Sequence, residues 1–130
     1  MNSLGYAKES LHDFAATVER VRAAVAANGL GIVNEMDVTD VFRAKLNVAF
    51  SGYRIFGVCH PSSAYQVLSA DKEMGLLLPC NIIVYEDAAA VRASAARPTR
   101  LLPADAPPAL KNVANDVENK LIAIINAATI

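Results

Sequence analysis

Two stretches of the chain repeat apolar residues at helical spacing. Leu11, Phe14, Val18, Val21 and Val25 follow at intervals of 3, 4, 3 and 4, and Leu110, Val113, Val117, Leu121 and Ile124 at 3, 4, 4 and 3. Such intervals keep one stripe along a helix of 3.6 residues per turn, so the pattern predicts helices over 11–28 and 108–127. Ser10 is the expected cap of the first, with Asp13 three residues on in place of the usual capping-box glutamate. Asn28-Gly29 supplies its stop. Asp105 is the expected cap of the second, with Pro107 and Pro108 in its first turn.

Between the helices the apolar period shortens towards two. Residues 3–9 are expected to form a first strand, and 30–37, 53–59, 77–85 and 90–96 the others. Tyr53, Ile55, Phe56 and Val58 are strong β-formers. The 76–85 stretch is apolar on both faces, as in an inner strand. A turn over Glu86–Ala89 makes the last two strands a hairpin. Thr39 or Asp40 is expected to cap a short helix reaching Leu46, and Asn47–Gly52 to form a loop. Pro61 opens another short helix at Ser62 or Ser63, and Asp71–Gly75 is its return loop. Four of the six prolines fall between 97 and 108, which predicts an irregular connector. Strands and helices do not alternate strictly. The order therefore predicts one α+β domain over 1–130, with two long helices against one face of a mainly antiparallel sheet.

Composition narrows the function classes. Hydrophobic residues make up 54% of the 130, above the soluble average, and mean hydropathy is positive. No apolar run approaches the ~20 residues that span a bilayer. Twelve basic and thirteen acidic residues give a net charge of −1 with no basic block. Neither nucleic acid nor an anionic membrane is an expected partner. The N-terminus lacks the basic and apolar regions of a secretory signal, so a cytoplasmic location with reduced thiols is expected, short of a leader cleaved earlier.

Candidate chemistry gathers between Tyr53 and Tyr85, which holds both cysteines, Cys59 and Cys80, and His60. Cys-His-Pro (59–61) and Pro-Cys-Asn (79–81) each interrupt a strand with proline, freeing nearby backbone groups. The ligand-binding candidates are accordingly Cys59, His60, Pro61, Pro79, Cys80 and Asn81, with Asp37 as a neighbour. The helix after Pro61 points free N–H groups at the same turn, which suits an anion or carboxylate. His60 adds a group that titrates near neutrality. Against this, free cysteine packs as a small hydrophobe, and an Asp at Asp37's position serves as a helix cap.

No metal is expected. Cys59, Cys80, His60 and His12 are the only soft donors, none in a known ligand spacing; Cys59, His60 and Cys80 would supply a zinc or haem site if one existed. Glu35, Asp37, Asp71, Glu73 and Glu86 are the acid–base candidates. No catalytic constellation, phosphate loop or dinucleotide fingerprint is present.

Further residues carry a resemblance. Asp37-Val38, Tyr53, Gly57-Val58-Cys59, Pro61, Ala64, Leu77-Leu78-Pro79-Cys80 and Val84-Tyr85-Glu86 are ordered and spaced as in the bacterial and archaeal family known as domain of unknown function 302. The resemblance covers roughly Ser3 to Leu102. One departure is Cys59-His60-Pro61 where the family has Cys-Asn-Pro. The resemblance implies a TATA-binding-protein-like α+β fold, often a segment-swapped homodimer, and it implies no reaction. The apolar composition and the alanine-rich hairpin point the same way on self-association. The expectation is a homodimeric, non-catalytic module that binds or senses a small molecule. The alternative is a thiol-dependent redox or persulfide protein, or a metal or haem protein, using Cys59, His60 and Cys80.

Overall fold

The computed structural model describes residues 4–130. Five strands form one sheet: β1 (Gly5–Glu9), β2 (Gly31–Asp37), β3 (Tyr53–Cys59), β4 (Cys80–Asp87) and β5 (Ala90–Ala96). Their spatial order is β1-β5-β4-β3-β2, and every neighbouring pair is antiparallel. The helices are α1 (Phe14–Ala27), α2 (Val38–Leu46), α3 (Pro61–Ala70), α4 (Pro98–Leu101) and α5 (Pro108–Thr129), with a 3-10 segment at Lys72–Leu77. The α+β class and the antiparallel sheet agree with the sequence pattern. The Ser3 end of the expected first strand lies outside the described residues.

Alternation along the strands sorts the sheet into two faces. Phe56, Val58, Ile82, Val84, Ala93 and Ala95 point to one side and are buried. There they meet Val18, Val21 and Val25 of α1 and Val117, Leu121, Ile124 and Ile125 of α5. The other side carries Tyr53, Ile55, Ile83, Tyr85, Arg92 and Ser94, all half-buried. An aromatic row runs onto it from α2, with Phe42 5.1 Å from Phe50, Phe50 6.2 Å from Tyr53, and Tyr53 stacked on Tyr85 at 5.6 Å.

Several boundaries differ from the sequence expectation, each because another hydrogen bond takes precedence. The backbone N–H groups of Ser10 and Leu11 donate to Val91 and Thr129, which holds the chain straight past the expected start of the first helix. Asp13 is the cap, accepting from the Ala16 N–H at 2.8 Å. Ser10 instead shares its hydroxyl with Thr17 at 2.7 Å. Leu11 falls outside the helical stripe and is 81% exposed. Asp37, not Thr39 or Asp40, caps α2. Pro61 itself is the first residue of α3. Asp71 accepts from the Glu73 N–H and starts the 3-10 segment, so Leu76 and Leu77 are not strand residues and β4 begins at Cys80. The proline-rich connector contains α4. Pro107 occupies the N-cap position of α5 without a side-chain cap, so Asp105 does not cap it.

The β4–β5 hairpin closes on Ala88 and Ala89, with Asp87 opposite Ala90. Ala88 has φ 55°, a left-handed conformation that costs an L-residue roughly 1–2 kcal/mol.

Candidate functional site

The site lies where β3 and β4 reach one end of the sheet. Val58 is paired with Cys80 there. Beyond Cys59 the chain turns at His60 into α3, and before Cys80 it arrives from the 3-10 segment through Pro79. The first half of α5 crosses the same end, and α4 lies alongside it. Leu110, Val113 and Val117, the start of the α5 stripe, line this end, and Val117 also belongs to the core. Together these elements wall a cavity of about 60 Å³. Its lining includes Cys59, Cys80, His60, Met74, Leu77 and Leu102, and no Asp, Glu, Lys or Arg side chain. Cys59 borders the same cavity as Val58, although strict alternation would put it on Ile55's face, because the strand ends at that residue.

The two cysteines are free thiols. Burial pushes the Cys80 thiol up from its ordinary value, and the neighbouring Cys59 adds to the shift. Cys80 is therefore neutral at pH 7 and behaves as part of the apolar wall. His60 caps α3 in position only. Its Nδ1 lies 2.7 Å from the Ser63 hydroxyl and 3.4 Å from that of Ser62, which ties the ring to the first turn of the helix.

His60 and Ser63 also border a second, polar cleft of about 520 Å³ between α3 and α5, with Asn28, Gln66, Asp116, Asn119 and Lys120 around it. Alongside, a buried carboxylate fastens α4 to α5. Glu118 accepts from the Thr99 backbone N–H at 3.1 Å and from its hydroxyl at 2.6 Å, and it pairs with Arg97 at 3.4 Å. That latch holds Pro98 and Leu101 against the cavity.

The seven candidates do not converge. Cys59, His60 and Cys80 meet at the cavity, and Pro61 starts the helix beside it. Pro79 and Asn81 line an adjoining hollow with Asn34, Leu76 and Ala96, and Leu77, Leu78, Cys80 and Leu101 border both spaces. Gly57 makes that packing possible: a Cβ there would overlap the Asn34 amide and lie 2.7 Å from the Pro79 ring. Asp37 pairs with Arg54 near the opposite end of β3, while Cys59 pairs with Gly31. It accepts from the Asp40 N–H at 3.0 Å and lies 3.3 Å from the Arg54 guanidinium, so capping and ion pairing account for it and it is no neighbour of the cavity.

The acid–base candidates are dispersed too. Glu35 bridges Arg22 and Arg54, each at 2.7 Å. Glu86 accepts from the Gly52 N–H, Asp71 caps the 3-10 segment, and Glu73 is exposed. His12 contacts the Ile130 carbonyl at the far end of α5. Among the described residues no three His, Cys, Asp or Glu side chains are grouped to hold a metal ion, and no helix is long and apolar enough to cross a membrane.

Sequence reasoning missed Met74, Leu77, Leu101 and Leu102 as cavity residues. Their signal was present as apolar residues inside segments read as loop, strand entry and connector.

The model of a family described as domain of unknown function DUF302 matches residues 6–128. Among solved structures, the crystal structure of an uncharacterized conserved protein DUF302 from Bacillus stearothermophilus is similar, at 28% identity and a TM-score of 0.89, over 96% of this chain and 98% of that one. No curated protein matches the chain.

Proposed function

Because this chain belongs to the DUF302 family, defined without an assigned function, only the chemistry of its site can suggest one, and we propose that it is a homodimeric, non-catalytic module that holds a small apolar ligand or ligand group in the cavity beside Cys59, His60 and Cys80. The observation that carries the reading is the character of that cavity. Four helical elements and the sheet end line it, no Asp, Glu, Lys or Arg side chain borders it, and its half-buried Cys80 thiol is neutral. Such a site suits binding more than proton transfer or nucleophilic attack, because no carboxylate lines it to orient the His60 ring or to share its proton. Two or three buried CH₂ groups would contribute about 2 kcal/mol at ~0.8 kcal/mol each. Free thiols fit a reducing compartment.

Self-association is supported by the uncovered sheet face. Five strands at ~4.8 Å and about seven residues at ~3.3 Å give a face of roughly 550 Å². Met36, 42% exposed, and Phe50, 44% exposed, extend it. That approaches the ~800 Å² per partner of a standard interface. A second copy packing face to face, in plain or segment-swapped form, would cover it.

The test has two arms. Ala114, a cavity-lining residue on α5, is replaced by Leu to occupy the space. A calorimetric screen of small apolar compounds should find ligands that bind the parent and not Ala114→Leu; finding none, or ligands indifferent to the substitution, overturns the binding reading. Sedimentation at micromolar protein should give a dimer that Ile83→Lys converts to monomer. A parent that sediments as a monomer overturns the homodimer.

A further inference from the structure

We infer that the ligand is a short-chain carboxylate, its tail in the apolar cavity and its carboxylate in the adjoining polar cleft at Lys120. This rests on the proposal that the cavity binds a ligand, and adds the ligand's chemistry. The first observation is that the two spaces share a wall: His60, Ser63 and Val113 line both. A ligand in the cavity that extends past His60 meets the cleft. The cleft therefore selects for a molecule apolar at one end and polar at the other.

The second observation concerns charge. The cleft carries one cation and one anion, Lys120 and Asp116, four residues apart on α5. Among the described residues neither forms an ion pair. Asp116 is exposed, so water solvates it; Lys120 is half-buried and lacks a carboxylate partner. An incoming carboxylate would give the Lys120 ammonium the charge-assisted hydrogen bond it lacks. The first turn of α3 adds to the preference, since the Ser62 and Ser63 N–H groups precede the first helical bond, from Ala64 to His60.

Size sets the tail. At about 30 Å³ for a water-sized group, 60 Å³ takes two or three carbons. Propanoate and butanoate fit that length.

The experiment is a titration of the whole protein, followed by methyl NMR, with acetate, propanoate, butanoate and hexanoate, and with butan-1-ol as the uncharged control. Affinity should rise about fourfold per CH₂ through butanoate, the equivalent of ~0.8 kcal/mol per group, and flatten beyond it. Butanoate should bind at least threefold tighter than butan-1-ol. Lys120→Gln should erase that preference, while Asp116→Asn should increase it. Equal affinity for butanoate and butan-1-ol in the parent, or a preference untouched by Lys120→Gln, overturns the head-group assignment and leaves the apolar cavity standing. If neither compound moves the methyl signals of Val67, Leu102 and Val113, the inference and the proposal beneath it both fall.

Discussion

Replacing Glu118 by Ala should destabilise the fold by about 2–4 kcal/mol, because its buried carboxylate ties α4 to α5. The side chain is 7% exposed and accepts two hydrogen bonds from Thr99 and one long contact from Arg97. Hydrogen bonds to a charged group contribute roughly 1.5–3 kcal/mol each. The Arg97 contact, at 3.4 Å with the arginine side chain 26% exposed, adds less. Truncation removes all three at once. Thr99 is exposed, so water takes over part of the loss and the net cost stays below the sum. Glu118→Gln keeps an acceptor for Thr99 and should cost only about 1 kcal/mol. Urea denaturation with an unchanged slope is the assay. Because Pro98 and Leu101 border the cavity, Glu118→Ala should also weaken any cavity ligand. A variant Glu118→Ala within ~0.5 kcal/mol of the parent, the range of an ordinary surface substitution, would refute the latch, as would Glu118→Gln being equally costly.

Cys80 should label slowly with iodoacetamide at pH 7 and faster only at alkaline pH, and in Cys59→Ser its labelling midpoint should fall, because Cys59 helps raise it; rapid labelling at pH 7 contradicts the assignment. An acid whose pKa is raised on folding favours the fold fully below the unfolded thiol value of ~8.5 and loses that contribution as pH climbs through the raised value, so stability should decline above pH ~8.5 and less so in Cys80→Ala. Gly57→Ala should cost about 1–3 kcal/mol by overpacking, since the Pro79 ring cannot move aside as the Asn34 side chain can; a neutral result in thermal unfolding would show that the hollow relaxes. Ala88→Gly should stabilise by about 0.5–1 kcal/mol, as glycine relieves the positive φ of the hairpin turn, and a lower melting temperature would contradict it.

The helical stripes were legible because burial of one face is written at fixed intervals, and Val18, Val21, Val25, Val117, Leu121 and Ile124 are the buried residues the spacing indicates. Strand positions were legible for the same reason, with β5 at its expected residues. What misled was local competition. Ser10 and Asp13 are both good caps, and only the bonds from Ser10 to Val91 and Leu11 to Thr129 decide between them. Leu76 to Pro79 is apolar enough to read as strand, yet Asp71 winds the chain into a 3-10 segment first. The site was half legible. Strand pairing brings Cys59 and Cys80 together, which their separation of 21 residues does not announce. The same pairing sends Asp37 to the other end of β3, and Pro79 and Asn81 border the adjoining hollow rather than the cavity itself. The polar cleft with Lys120 was not legible, since it depends on how α5 lies across α3.

If the cavity beside Cys80 holds a ligand, it must also accept a simple apolar guest. Xenon is the most direct probe, because it fills dry apolar cavities without needing a polar contact. Methyl-resolved NMR of the parent under xenon pressure should shift Val67, Leu77, Leu102, Val113 and Val117 together in a saturable way, and Ala114→Leu should abolish the effect. Shifts absent in the parent, or spread over α1 and the open sheet face and persisting in Ala114→Leu, would contradict it.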